Sequence, residues 1–187
     1  MFNLPNLLTL SRIAVIPLVV ATFYVDGEIA RWVAVVLFGL AAISDFFDGW
    51  LARRWNQVSN FGRFLDPIAD KLLVAATLML LVGFDRVSHE AILPAVIILC
   101  REILVSGLRE FLAQLNVGVP VTQLAKWKTA VQMIALPILL IGDAAPPYLH
   151  AQAVGEMALT VAAVLTLITG WDYLQVGLRK MRESDGV

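Results

Sequence analysis

Long apolar runs and short polar breaks alternate along this chain with a spacing set by a lipid bilayer. The runs cover residues 7–25, 29–53, 65–84, 90–110, 124–143 and 150–178. Each is near the roughly 20 residues that a helix needs to cross the hydrocarbon layer. A helix satisfies its own backbone groups in lipid, so the pattern predicts an all-α fold, an integral membrane bundle of six transmembrane helices. No linker or internal repeat divides it, and residues 1–187 read as a single membrane domain. The breaks DGE at 26–28, DRVSHE at 85–90 and DAAPPY at 143–148 are turn-like. The other connections and the C-terminal tail hold Arg53, Arg54 and Arg63, then Arg109, Lys126 and Lys128, then Arg179, Lys180 and Arg182; the opposite side has Arg31 and Arg86. Lys and Arg accumulate on the cytoplasmic side of a membrane. Both termini are therefore expected in the cytoplasm.

Composition sharpens this picture. Hydrophobic residues make up 59% of the 187 and the mean hydropathy is +0.80, whereas a soluble domain is about 45–50% apolar. The net charge of −1 carries no message by itself; the placement of charge does. Cys100 is the only cysteine, which excludes an internal disulfide and a cysteine-based metal cluster. The N-terminal run contains Arg12 and has neither a basic start nor a small-residue cleavage site, so it reads as a retained helix. No basic stripe with interleaved aromatics points to nucleic acid. His89 and His150 fall in the outer turns, away from any cluster of acids.

The chemistry is concentrated at residues 44–71, SDFFDGWLARRWNQVSNFGRFLDPIADK. Asp45 and Asp48 are three apart near the cytoplasmic end of the second helix, and Asp66 and Asp70 are four apart early in the third. Those spacings put each pair on one helical face. A short connection makes the two helices antiparallel, so all four carboxylates are expected at one depth. An Asp at the centre of a membrane helix costs roughly 2.5–3.5 kcal/mol, less near the interface. One alone reads most simply as a helix cap or the partner of a nearby arginine. Four together require a positive counter-charge, and a set of oxygen ligands suits Mg²⁺ or Mn²⁺, with enough carboxylates for two ions. Gly49, Ala52 and Gly62 are small enough to admit a ligand to the backbone or to let helices pack closely.

Asp45-Phe-Phe-Asp48-Gly49, Ala52-Arg53, Gly62, Asp66 and Asp70 resemble the complete signature of the CDP-alcohol phosphotransferases. The runs at 4–12 (LPNLLTLSR), 101–109 (REILVSGLR) and 126–129 (KWKT) are similar to the phosphatidylglycerophosphate synthase branch. The resemblance implies six transmembrane helices, a homodimer and two divalent ions held by Asp45, Asp48, Asp66 and Asp70, with Asp70 also the general base. It implies CDP-diacylglycerol contacts from Asn6, Thr9, Gly49, Ala52, Arg53, Ser59 and Gly62. The implied reaction displaces CMP from CDP-diacylglycerol by an alcohol, at the cytoplasmic face of the inner membrane.

A second set of charges bears on the alcohol. Arg101 lies deep in an apolar run with Glu102 beside it, Arg109 follows two turns on, and Lys126 and Lys128 open the fifth helix. A buried arginine marks either a functional site or a salt bridge to an acid. Four cations on one membrane side fit an acceptor that carries a phosphate, and the branch resemblance makes it sn-glycerol 3-phosphate. Inositol phosphate, serine and phosphatidylglycerol are the sibling alternatives. An ion transporter is the alternative of another class, disfavoured because the acids cluster at one face and no repeat is evident. The topology is open to reporter fusions at residues 86, 118 and 187. An external signal at 86 and internal signals at 118 and 187 are expected; a cytoplasmic signal at 86 or an external one at 118 contradicts the orientation.

Overall fold

The computed structural model describes residues 4–54, 60–114 and 122–184, with side chains at 6–44, 62, 64–114 and 122–181. Six α-helices carry the described chain: α1 Leu4–Phe23, α2 Glu28–Arg54, α3 Asn60–Gly83, α4 His89–Gln114, α5 Gln123–Ile141 and α6 Ala151–Ser184. There is no strand among the described residues. Two short 3-10 turns, Gly142–Ala144 and Pro147–Leu149, join α5 to α6. Every apolar run is thus a helix. The departures are at the ends, where polar residues continue the backbone ladder beyond the apolar run. Thus α3 begins at Asn60 and α6 continues to Ser184, which moves Asp66 and Asp70 beyond the first turn.

Four stretches, Asn6–Phe23, His89–Gln114, Gln123–Ala144 and Pro147–Met181, are long and apolar enough to cross a membrane. The chain is an integral membrane protein by this measure. Helices α2 and α3 are also long, 27 and 24 residues, but they carry the charged motif and fall outside that set.

Two compact units divide the chain. The first comprises Met1–Val87 with Leu136–Gly155, the second Ser88–Ala135 with Glu156–Val187. In the first unit, α1 packs against both α2 and α3. The inward stripe of α2 is Ala30, Ala34, Phe38 and Ala41, while Trp32, Val33, Val36, Leu40 and Ile43 on the same helix are exposed. Three alanines among four inward positions, with large apolar residues outside, reverse the soluble pattern and suit lipid, where close backbone approach replaces the hydrophobic drive between helices. At the end of this unit remote from the aspartates, Arg31 donates to Asp143 at 2.9 Å. Arg86 lies 4.0 Å above the Phe23 ring, and Phe84 packs against Phe23 and Tyr24. Burial and the neighbouring Arg31 hold the Arg86 guanidinium below its ordinary pKa, with Asp143 opposing them.

In the second unit, α4 and α6 run parallel in constant register. The Ser88 backbone N–H and hydroxyl donate to the Glu156 carboxylate at 2.7 and 2.8 Å, and Arg101 meets Thr169 the same number of residues along. Glycine makes this approach possible. A Cβ at Gly170 would lie 3.0 Å from Arg101 Cγ, and one at Gly177 2.9 Å from the Leu108 methyls. No atom lies within 4 Å of a Cβ built at Gly107, on α4 itself. Gly177→Leu is therefore expected to lower the melting temperature in detergent, by an overpacking cost of about 1–3 kcal/mol. Gly107→Ala should leave it unchanged or raise it. Equal melting of both variants would show that the α4–α6 contact does not depend on glycine.

Candidate active site

The signature residues belong to the first unit. Three polar residues of α1, Asn6, Thr9 and Arg12, are almost wholly buried, at 2%, 1% and 1% exposure. Their spacing of three places them along one face of the helix. Burying polar groups in so apolar a bundle costs free energy unless partners receive them, and one partner is explicit. The Thr9 hydroxyl donates to Asp66 Oδ1 at 2.5 Å. This bond ties α1 to α3 and fixes one oxygen of the carboxylate. Asp66 and Asp70 are half-buried, and Ala69 between them is fully buried, so this part of α3 meets the packed interior along Ala69. Gly62, one turn before Asp66, is buried as well. On the outer side of the same helix, Lys71 donates to the Pro67 carbonyl at 3.1 Å.

The other half of the motif lies on α2, which is helical through Asp45, Asp48, Gly49, Ala52 and Arg53. The side chains of these residues, and the whole of Ser59, lie outside the described residues. Among the described residues no three acidic, histidine or cysteine side chains come together. The donor chemistry at the described half fits a hard divalent ion. It offers carboxylates of which one is already oriented by a hydroxyl, with neither His nor Cys among the motif residues, as oxygen-seeking Mg²⁺ or Mn²⁺ requires.

The cations expected to meet the acceptor belong to the second unit, and they do not behave alike. Arg101 and Lys128 are turned inward and share one carboxylate: Arg101 Nη1 lies 3.4 Å from Glu102 Oε1, and Lys128 pairs with the same oxygen. Arg101 also donates to Thr169 Oγ1 at 3.1 Å. The Tyr173 ring is buried, with the Arg101 guanidinium 5.7 Å and the Arg109 guanidinium 6.0 Å from its centre. Arg109 is otherwise exposed, and Lys126, two residues from Lys128 and so on another face of α5, is exposed too. The structure thus gathers Arg101 and Lys128 around Glu102, links Arg109 to them through Tyr173, and leaves Lys126 outside. Glu102, next to Arg101 in sequence, is the acid of the salt-bridge reading, and the structure adds Lys128 to that pair; Thr169 and Tyr173 carry no mark of this role in the sequence other than their spacing. The available signal was the spacing of Thr166, Thr169 and Tyr173, three and four apart in an otherwise apolar helix. Arg12 was likewise visible only as a charge inside an apolar run.

Comparison with known proteins bears on the family of the whole chain. The family model for CDP-alcohol phosphatidyltransferase matches residues 2–169. A protein of Rickettsia bellii named CDP-diacylglycerol–glycerol-3-phosphate 3-phosphatidyltransferase is 50% identical, over 92% of this chain and 94% of its own length. Proteins of the same name from Salmonella choleraesuis and Cereibacter sphaeroides are 46% and 40% identical, covering 93% and 98% of this chain and 92% and 99% of theirs. With the family match spanning most of the sequence and the motif intact within it, the chain belongs to the CDP-alcohol phosphatidyltransferase family.

Proposed function

We propose that this chain transfers the phosphatidyl group of CDP-diacylglycerol to sn-glycerol 3-phosphate, giving phosphatidylglycerol phosphate and CMP. The observation that carries the reading is the likeness, at 40–50% identity over at least 92% of this chain, to relatives named for that reaction. The branch-like runs at 101–109 and 126–129 agree with it. The same reading has all six helices crossing the inner membrane as a single domain, both termini and the site facing the cytoplasm, and two copies forming a homodimer.

The roles follow from chemistry. Asp45, Asp48, Asp66 and Asp70 would hold two divalent ions, Mg²⁺ or Mn²⁺, which when bound neutralise the pyrophosphate and the leaving phosphate. Thr9, by donating to Asp66, keeps that carboxylate oriented. Asn6, Thr9, Gly49, Ala52, Arg53, Ser59 and Gly62 hold the CDP moiety, with the planar guanidinium of Arg53 suited to phosphate oxygens. Arg101 and Lys128, assisted by Arg109, hold the acceptor's phosphate through charge-assisted hydrogen bonds, and the exposed Lys126 stands outside this group. Asp70 takes the proton from the C1 hydroxyl of the acceptor. That oxygen bonds to the β-phosphorus, the one that carries the diacylglycerol, and the bond from this phosphorus to the CMP oxygen breaks. The proton leaves on Asp70 and the electron pair leaves with CMP.

Release of CMP by purified protein tests the reading. Among sn-glycerol 3-phosphate, inositol phosphate, serine and phosphatidylglycerol, the first is expected to be fastest. Asp→Asn at Asp45, Asp48, Asp66 or Asp70 should abolish turnover in folded protein, EDTA should silence the wild type, and added Mg²⁺ or Mn²⁺ should restore it. Arg101→Ala should raise KM for the acceptor and leave that for CDP-diacylglycerol nearly unchanged. Faster turnover with another acceptor assigns a sibling reaction, and full activity in chelator contradicts the metal roles.

A further inference from the structure

The second unit contains buried polar atoms that its own packing leaves unanswered. Three such atoms of this unit have no hydrogen-bond partner: Arg101 Nε, Gln132 Oε1 and Thr166 Oγ1. Gln132 is 3% exposed and Thr166 is 0% exposed. Their positions are regular. Gln132 lies one turn from Lys128 on the same face of α5, and Lys128 is bonded to Glu102. Thr166 lies one turn from Thr169 on α6, and Thr169 accepts from Arg101. Buried polar atoms are nearly always paired, and leaving one unpaired costs about 1–3 kcal/mol. Simple packing gives no reason to keep a Gln and a Thr there, where Leu and Val would fill similar volumes.

We propose that Gln132 and Thr166 form a hydroxyl-reading subsite that recognises the free secondary hydroxyl of the polyol phosphate acceptor. The proposal rests on the glycerol phosphate reading above and adds the residues that select the polyol. A hydroxyl both donates and accepts, so it can give its proton to Gln132 Oε1 and accept one from the Thr166 hydroxyl. Arg101 Nε, the third orphan, is a donor without acceptor capacity and suits the acceptor's phosphate. The three orphans therefore match the two functions of one small molecule, a phosphate and an alcohol that does not react. A site built around such polar atoms rejects an analogue lacking the group strongly, because its own atoms then stay unpaired.

The test compares sn-glycerol 3-phosphate with 1,3-propanediol monophosphate, which keeps the phosphate and a reactive primary hydroxyl but lacks the secondary one. Wild type is expected to prefer the former by about tenfold or more in kcat/KM. Thr166→Val and Gln132→Leu should each shrink that preference toward unity, mostly by losing activity on sn-glycerol 3-phosphate, and Thr166→Ser should retain it. Both variants should melt in detergent at or above the wild-type temperature, since each removes a polar atom without a partner. A wild-type preference near unity, a preference unchanged in both variants, or lowered melting with equal loss on the two acceptors would each overturn the proposal. If wild type releases CMP with another acceptor and none with sn-glycerol 3-phosphate, the reaction assignment itself falls, and the proposal with it; that outcome is separate from the others.

Discussion

Carboxylates beside lipid stay ionised only if something positive stands against them, and the arrangement of this protein follows from that constraint. Four aspartates within one motif call for positive charge, which an apolar bundle supplies sparingly. Help reaches the described half of the motif from α1, whose Asn6, Thr9 and the cation Arg12 are buried along one face and whose Thr9 bonds directly to Asp66. A hydroxyl orients a carboxylate without cancelling its charge. The remaining demand is for cations of high charge density with a taste for oxygen, and it is the same demand that phosphoryl transfer makes when charge moves onto a leaving phosphate.

The second unit meets the mirror-image problem. Arg101 and Lys128 are cations turned inward, and Glu102 stands between them as a shared counter-ion. Tyr173 presents its ring to Arg101 and Arg109, a contact that favours guanidinium groups. Among the described side chains, Arg101 and Lys128 thus meet on a single carboxylate oxygen. The glycines of α6 let the helices come close enough to enclose these groups, Gly170 directly against the Arg101 stem. Packing and charge are therefore one design here: small residues permit the approach, and the approach keeps water from the ion pairs.

The helices were legible because hydropathy in a membrane protein is a nearly one-dimensional signal. All six apolar runs became helices, with errors only at polar ends such as Asn60 and Ser184, where hydrogen bonding continues after hydropathy stops. The aspartate motif was legible because eight separated positions agreed with one pattern. Which cations turn inward was not legible. Lys126 and Lys128 look equivalent in sequence, and only helix rotation, set by tertiary packing, buries one and exposes the other. Thr169 and Tyr173 were illegible for a related reason, since their meaning depends on partners 64 to 72 residues away. Asp45, Asp48 and Ser59 remain at the level of motif and family.

The central claim, that the aspartates exist to hold divalent cations, is tested most directly by counting bound Mn²⁺. Purified protein in detergent, titrated with Mn²⁺ and followed by the electron paramagnetic resonance of the free ion, should remove two ions per chain in the presence of a CDP-lipid. Asp66→Asn should weaken or abolish that uptake while the helical circular dichroism is retained. Absence of saturable uptake in the wild type, or uptake unchanged by Asp66→Asn, would contradict the account.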